Sequence, residues 1–131
     1  MAREAACSCG NLRLTVEGEP ARVSICHCLA CQRRTGSAFG VQARFDESQV
    51  RIAGAPSEYV RISDDGDERI FSFCSECGGT VAIRYPGTPG IVAVPVGAFA
   101  HPSFPAPIRS FYESRRHSWV SLPDELERET E

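Results

Sequence analysis

The sequence predicts a mainly β protein of short strands with little helix, and three observations predict it. Apolar and polar residues alternate over short stretches along most of the chain. Glycine, proline and aspartate interrupt those stretches at close intervals. The cysteines fall on the breaks between stretches, as tight clusters of metal-ligand spacing.

Leu12, Leu14 and Val16 alternate with Arg13 and Thr15 until Gly18 breaks the run. Ala21 to Ile25 is a short extended approach to the central cysteines. The chain then permits one or two helical turns over Leu29–Thr35, stopped by Gly36. Phe39, Val41, Ala43 and Phe45 alternate with Gly40, Gln42 and Arg44, the clearest half-buried strand. Val50 and Ile52 continue the pattern, and Gly54-Ala55-Pro56 turns the chain. Tyr59 to Ile62 is a short strand before the turn Asp64-Asp65-Gly66-Asp67. Arg69 to Phe73 runs into the last cysteine pair, and Thr80 to Tyr85 leaves it. The Pro86-Gly87-Thr88-Pro89-Gly90 loop precedes the apolar run Ile91–Val96. Pro95 in that run predicts an edge strand or a bulge. His101–Pro107 carries three prolines and is expected to be irregular. Ile108 to Tyr112 is the last candidate strand, and Asp124–Glu131 a short helix or a frayed tail. Phe39, Phe73 and Phe111 are expected in the core, and Trp119 is expected to pack the tail onto the sheet.

The 131 residues suit one domain, 1–131, with 42% apolar and 24% charged residues. A net charge of −3 and a pI of about 5.6 carry no basic footprint for nucleic acid. No apolar stretch has the length of a signal peptide core or a membrane helix, so a cytoplasmic protein without membrane association is expected. In a reducing compartment, clustered cysteines are more often metal-binding or catalytic than disulfide-bonded. The odd count of seven also speaks against a pure disulfide framework.

Those seven split into Cys7-x-Cys9-Gly10, Cys26-His27-Cys28-x-x-Cys31 and Cys74-x-x-Cys77-Gly78-Gly79. The last looks like a zinc knuckle, whose glycine supplies the turn that aims backbone N–H groups at sulfur. Cys7 and Cys9 share one side of an extended segment, and a bend at Gly10 would converge them. Pairing the outer clusters gives four thiolates, a closed tetrahedral zinc site. The middle cluster gives three, which leaves a position for water or an exogenous thiol. His27 should point away from Cys26 and Cys28. Spacing alone leaves a single shared site or redox use of a C-x-x-C pair open.

Taken together, Cys7-Ser8-Cys9-Gly10, Cys26-His27-Cys28-x-x-Cys31-Gln32-Arg33-Arg34-Thr35-Gly36-Ser37 and Phe73-Cys74-x-x-Cys77-Gly78 resemble the glutathione-dependent formaldehyde-activating enzyme and centromere protein V-like family. The resemblance covers about residues 3–112, with 113–131 as a C-terminal tail. It implies a β-tent-type zinc-binding fold of short antiparallel strands with two zincs per chain. The structural zinc falls to Cys7, Cys9, Cys74 and Cys77, and the catalytic zinc to Cys26, Cys28 and Cys31. Glutathione is the implied co-substrate and formaldehyde the implied aldehyde, in the reaction of a carbon–sulfur lyase. Arg33, Arg34 and Ser37 follow the middle cluster at once, and arginine suits glutathione's carboxylates. Thr35 and Ser37 equally suit a turn around Gly36. The expected partners are therefore a small-molecule thiol and an aldehyde. Two alternatives stand beside the enzyme: a glutathione- or thiol-binding zinc protein without turnover, and a structural zinc scaffold.

Overall fold

A computed structural model describes residues 1–131. The chain forms two compact units, each built from two segments: residues 1–21 with 43–104, and residues 22–42 with 105–131.

In the first unit, β1 (Ala2–Ala6), β2 (Arg13–Glu17) and β5 (Val50–Ala53) form a three-stranded antiparallel sheet in the order β1-β2-β5. The register pairs Ala5 with Leu14 and Leu14 with Ile52. Alternation in β2 buries Leu14 and Val16 and leaves Arg13, Thr15 and Glu17 in water. A second antiparallel run joins β6 (Ser57–Ile62), β7 (Glu68–Phe73), β8 (Thr80–Arg84) and β9 (Ile91–Pro95) in sequence order. Leu12, Leu14, Val16, Phe45, Val81, Ile83, Ala93 and Val94 are buried and form this unit's core. Pro95 is the last residue of β9 and caps a 3-10 turn over Val96–Phe99, so the proline stops the strand where it needs no further N–H. His101–Pro107 is irregular, as its prolines predict. β1 had no signal in the sequence; its Ala-Arg-Glu-Ala-Ala composition is unremarkable, and pairing with β2 makes it a strand.

In the second unit, β3 (Arg22–Cys26) leads through Cys28 into helix α1 (Leu29–Thr35), and β4 (Gly40–Asp46) then runs from this unit into the first. β10 (Arg109–Phe111) pairs with β3, and β11 (Glu127–Arg128) pairs with β10. Both pairings are parallel, an addition to the antiparallel pattern expected. They are possible because long stretches of chain separate the partners. The tail therefore ends in a strand, not a helix: Arg109 pairs with Glu129, and Arg128 meets Glu113 at 3.1 Å. Val23, Ile25, Val120 and Leu126 are buried here. Trp119 is 71% exposed, so Val120 and Leu126 do the packing expected of it. Phe39, Phe73 and Phe111 are half-buried; the fully enclosed aromatic ring of the fold is Phe45.

Candidate metal centres

Two hairpin connections of the first unit carry the outer cysteines. Cys7 and Cys9 lie between β1 and β2, and Cys74 and Cys77 between β7 and β8. A register shift at Ser72/Phe73 re-aims the chain just before Cys74. Gly78 takes φ of +79°, and its N–H donates to the Cys74 carbonyl at 2.7 Å, closing the knuckle. Gly79 permits the approach of the two hairpins: a Cβ there would lie 3.3 Å from the Cys7 Cβ and 3.4 Å from the Ser8 nitrogen.

The four sulfurs lie within 4.8 Å of one another. Cys7 and Cys9 are 3.7 Å apart, and Cys9 and Cys74 are 3.6 Å apart. Sulfurs on a tetrahedral zinc, at about 2.3 Å from the metal, stand about 3.8 Å from each other. The residues present therefore fit a zinc ion. The electrostatics agree. Backbone N–H groups of Gly79 and Cys9 bring the Cys77 thiol down to about 6. The Asn11 N–H favours the Cys9 thiolate too, but lost solvation and the neighbouring sulfurs push that thiol up to about 12. Four thiols in one spot resist sharing negative charge, and a bound dication removes that resistance.

The middle cluster sits in the second unit. Cys26, Cys28 and Cys31 also place their sulfurs within 4.8 Å of one another. Cys26 ends β3, Cys28 is the N-cap of α1, and its sulfur accepts from the Cys31 N–H at 3.3 Å. Contacts with Cys28 and Cys31, together with burial, hold the Cys26 thiol well above its ordinary range. For Cys31, the Cys26 contact favours the thiolate and Arg34 adds to it, but Cys28 and burial outweigh both and raise the thiol. This trio also fits a soft divalent cation, with one ligand position left over.

His27 is not that fourth ligand. Its side chain turns away from the sulfurs and is fully buried. Nε2 lies 3.0 Å from Ser110 Oγ, and Ser110 donates its own proton to Glu113. His27 therefore donates from Nε2, and Nδ1 is left buried with no hydrogen-bond partner. Glu113 also accepts from Arg116 Nε at 3.0 Å and Arg128 Nη1 at 3.1 Å. Burial drives the His27 pKa below its ordinary value, with Glu113 opposing. The imidazole is thus neutral and structural.

The residues after Cys31 divide. Arg33 and Ser37 are exposed, whereas Arg34 is half-buried and turns toward Gly40 beside Cys31. Thr35 Oγ1 accepts from the Ser37 N–H at 3.0 Å, the turn chemistry expected around Gly36. Sequence reasoning missed two residues at this site. Gln42 Nε2 lies 3.9 Å from Cys31 Sγ, and Gly40 makes room for it. The signal was present as Gly40-x-Gln42, two residues on one face of a strand.

No helix of the structure is long and apolar enough to cross a membrane. A protein-family model described as glutathione-dependent formaldehyde-activating enzyme matches residues 2–115. No curated protein matches the chain. Among solved structures, the crystal structure of a Rhodobacter sphaeroides protein superposes with a TM-score of 0.57 at 24% identity. The match covers 72% of this chain and 85% of that one, and it bears on fold alone.

Proposed function

This chain belongs to the glutathione-dependent formaldehyde-activating enzyme family, and from that premise we propose that it joins the thiol of glutathione to formaldehyde at Cys26, Cys28 and Cys31. Formally it is then a zinc-dependent carbon–sulfur lyase, named for the reverse direction. The observation that carries the reading is the sulfur trio itself. Three thiols share one spot, and the adjacent histidine is committed elsewhere.

Cys26, Cys28 and Cys31 are the residues that would hold a catalytic zinc, whose charge favours the thiolate form of a neighbouring thiol. Cys7, Cys9, Cys74 and Cys77 would hold a second, structural zinc. Arg33, Arg34 and Ser37 lie directly beyond the trio and suit the two carboxylates and the amides of glutathione. Formaldehyde is a small electrophile and needs little pocket, so holding it against the sulfur supplies most of what the protein contributes. Seven clustered thiols suit a reducing compartment, which supports a cytoplasmic location.

The test is the rate of S-hydroxymethylglutathione formation against the uncatalysed reaction, for the native chain and for Cys28→Ala. Saturable turnover that vanishes in a folded Cys28→Ala protein is the expected result. Equal rates for the two proteins would sink the catalytic assignment. Saturable glutathione binding with no rate above background would make this a thiol-binding protein.

A further inference from the structure

Helix α1 and strand β4 bring four residues together beside Cys31. Cys31 and Arg34 are three apart on α1 and share a face. Gly40 and Gln42 are two apart on β4 and share a face as well. A Cβ at Gly40 would lie 3.1 Å from Arg34 Nη2, 3.1 Å from Gln42 Nε2 and 3.5 Å from the Cys31 Cβ. Gly40 is buried and has no positive φ, so close approach, not backbone conformation, is what favours glycine there. A Cβ there would crowd both nitrogens, which would have to give by a few tenths of an ångström.

Gln42 is only 8% exposed. The acceptor its amide N–H finds in the structure is the Cys31 sulfur, at 3.9 Å. At that length the contact is weak for a nearly buried amide, whether the sulfur is thiol or thiolate. The side chain is thus aimed at the ligand cluster while its donor capacity is poorly used. A guanidinium stands beside it. A carbonyl oxygen that gains negative charge is the acceptor such a pair serves best.

We propose that Gln42 is a catalytic residue that holds the aldehyde oxygen, with Arg34 beside it, while the carbon–sulfur bond forms. The inference rests on the reading of the cysteine trio as the place of thiol addition. The thiolate sulfur supplies the electron pair of the new bond to the aldehyde carbon. The carbonyl π pair moves to oxygen, where the Gln42 amide N–H donates to it. The oxygen then takes a proton from solvent, which balances the proton lost when the thiol ionised. Nothing is oxidised or reduced. The substrate class is a small aldehyde, whose oxygen must come within hydrogen-bond reach of Gln42 Nε2 beside Cys31.

The experiment compares the native protein with Gln42→Leu and Gly40→Ala for three readouts: zinc per chain, glutathione affinity by calorimetry, and rate at saturating glutathione and formaldehyde. Gln42→Leu is expected to lose on the order of 100-fold in rate. About two zincs per chain and an unchanged glutathione affinity should accompany that loss. Gly40→Ala, which crowds both nitrogens, should lose rate at saturating glutathione in the same sense, whatever its effect on glutathione affinity through Arg34, and it serves if Gln42→Leu fails to fold. A Gln42→Leu rate equal to native would overturn the proposal and leave the thiol-addition reading intact. Loss of zinc from the trio in Gln42→Leu would also overturn it, because Gln42 would then be a support for Cys31. A native protein no faster than the uncatalysed reaction would remove the thiol-addition reading itself, and the proposal with it.

Discussion

Cys77 and Cys31 should differ in what their loss does. Cys77 belongs to a set of four sulfurs that ties two hairpins together, so Cys77→Ala removes metal-binding energy that is coupled to folding. The expected cost is on the order of several kcal/mol or outright unfolding. Cys31→Ala should remain folded and lose only the metal of the trio; thermal melts by circular dichroism with zinc analysis check both. Equal damage would contradict the division of labour. Glu113 gives a second prediction at this scale. Burial raises its carboxyl, but Ser110, Arg116 and Arg128 together hold it below the usual carboxylate range. A depressed carboxylate contributes stability above its unfolded value near 4.5, and that contribution is lost as pH falls through the lower folded value. Glu113→Gln should therefore be less stable than native by about 1–3 kcal/mol near neutral pH, with the gap closing below about pH 4.5. Melting both proteins across pH 3.5–7 measures the gap, and a pH-independent difference would refute the linkage. Metal content is followed in the same samples, and the two proteins are compared only at pH values where both retain it.

Helix α1 spans seven residues, too short to be stable by itself. Its order comes from its ends and from one side chain. Cys28 caps its N-terminus through sulfur, and Gly36 closes its C-terminus by donating to the Gln32 carbonyl at 2.8 Å. Gln32 does the most. Its Nε2 donates to the His27 carbonyl at 2.8 Å and the Arg115 carbonyl at 3.2 Å, and its Oε1 meets His117 Nε2 at 2.8 Å. Gln32→Ala should thus loosen α1 together with residues 115–117. The expected loss is about 1–2 kcal/mol, with faster amide exchange confined to those two segments. Exchange measured by mass spectrometry at peptide resolution reads this directly; unchanged protection in α1 would show that the caps suffice.

At the scale of the whole molecule, neither unit is a continuous stretch of chain, because the backbone passes from one to the other after residues 21, 42 and 104. We propose that residues 1–131 nevertheless unfold as one domain, and that metal loss separates two events. A chelator should first take zinc from the trio, whose fourth position is open to attack, without changing the far-ultraviolet circular dichroism spectrum. The second zinc should leave together with the β signal. Zinc content followed alongside the spectrum checks the order, and unfolding on loss of the first ion would reverse the assignment of the two sites.

Much of the molecule is legible in the order of its amino acids. The alternation in β2, the turn residues and the cysteine spacing suffice for a mainly β fold with metal clusters on its connections, since each is a local property of the chain; β4 departs from the expected half-buried pattern, because Gly40 and Gln42 are buried along with Ala43 and Phe45. The four-plus-three grouping is suggested by cluster size, but its proof is tertiary. Cys9 and Cys74 are 65 positions apart, and the pairing of two hairpins sets their 3.6 Å separation. β1 is likewise invisible locally, because alanine and glutamate carry no strand preference and the partner β2 decides. The parallel pairing of β3 with β10 and the burial of His27 against Ser110 join residues more than 80 positions apart, which no window of sequence can register. Trp119 departs from expectation because residue type favours burial, whereas the fold needs only Val120 and Leu126 at that point. The chain by itself thus determined which residues can bind metal. The tertiary structure decided which of them meet, and it set the Gln42 amide 3.9 Å from the Cys31 sulfur.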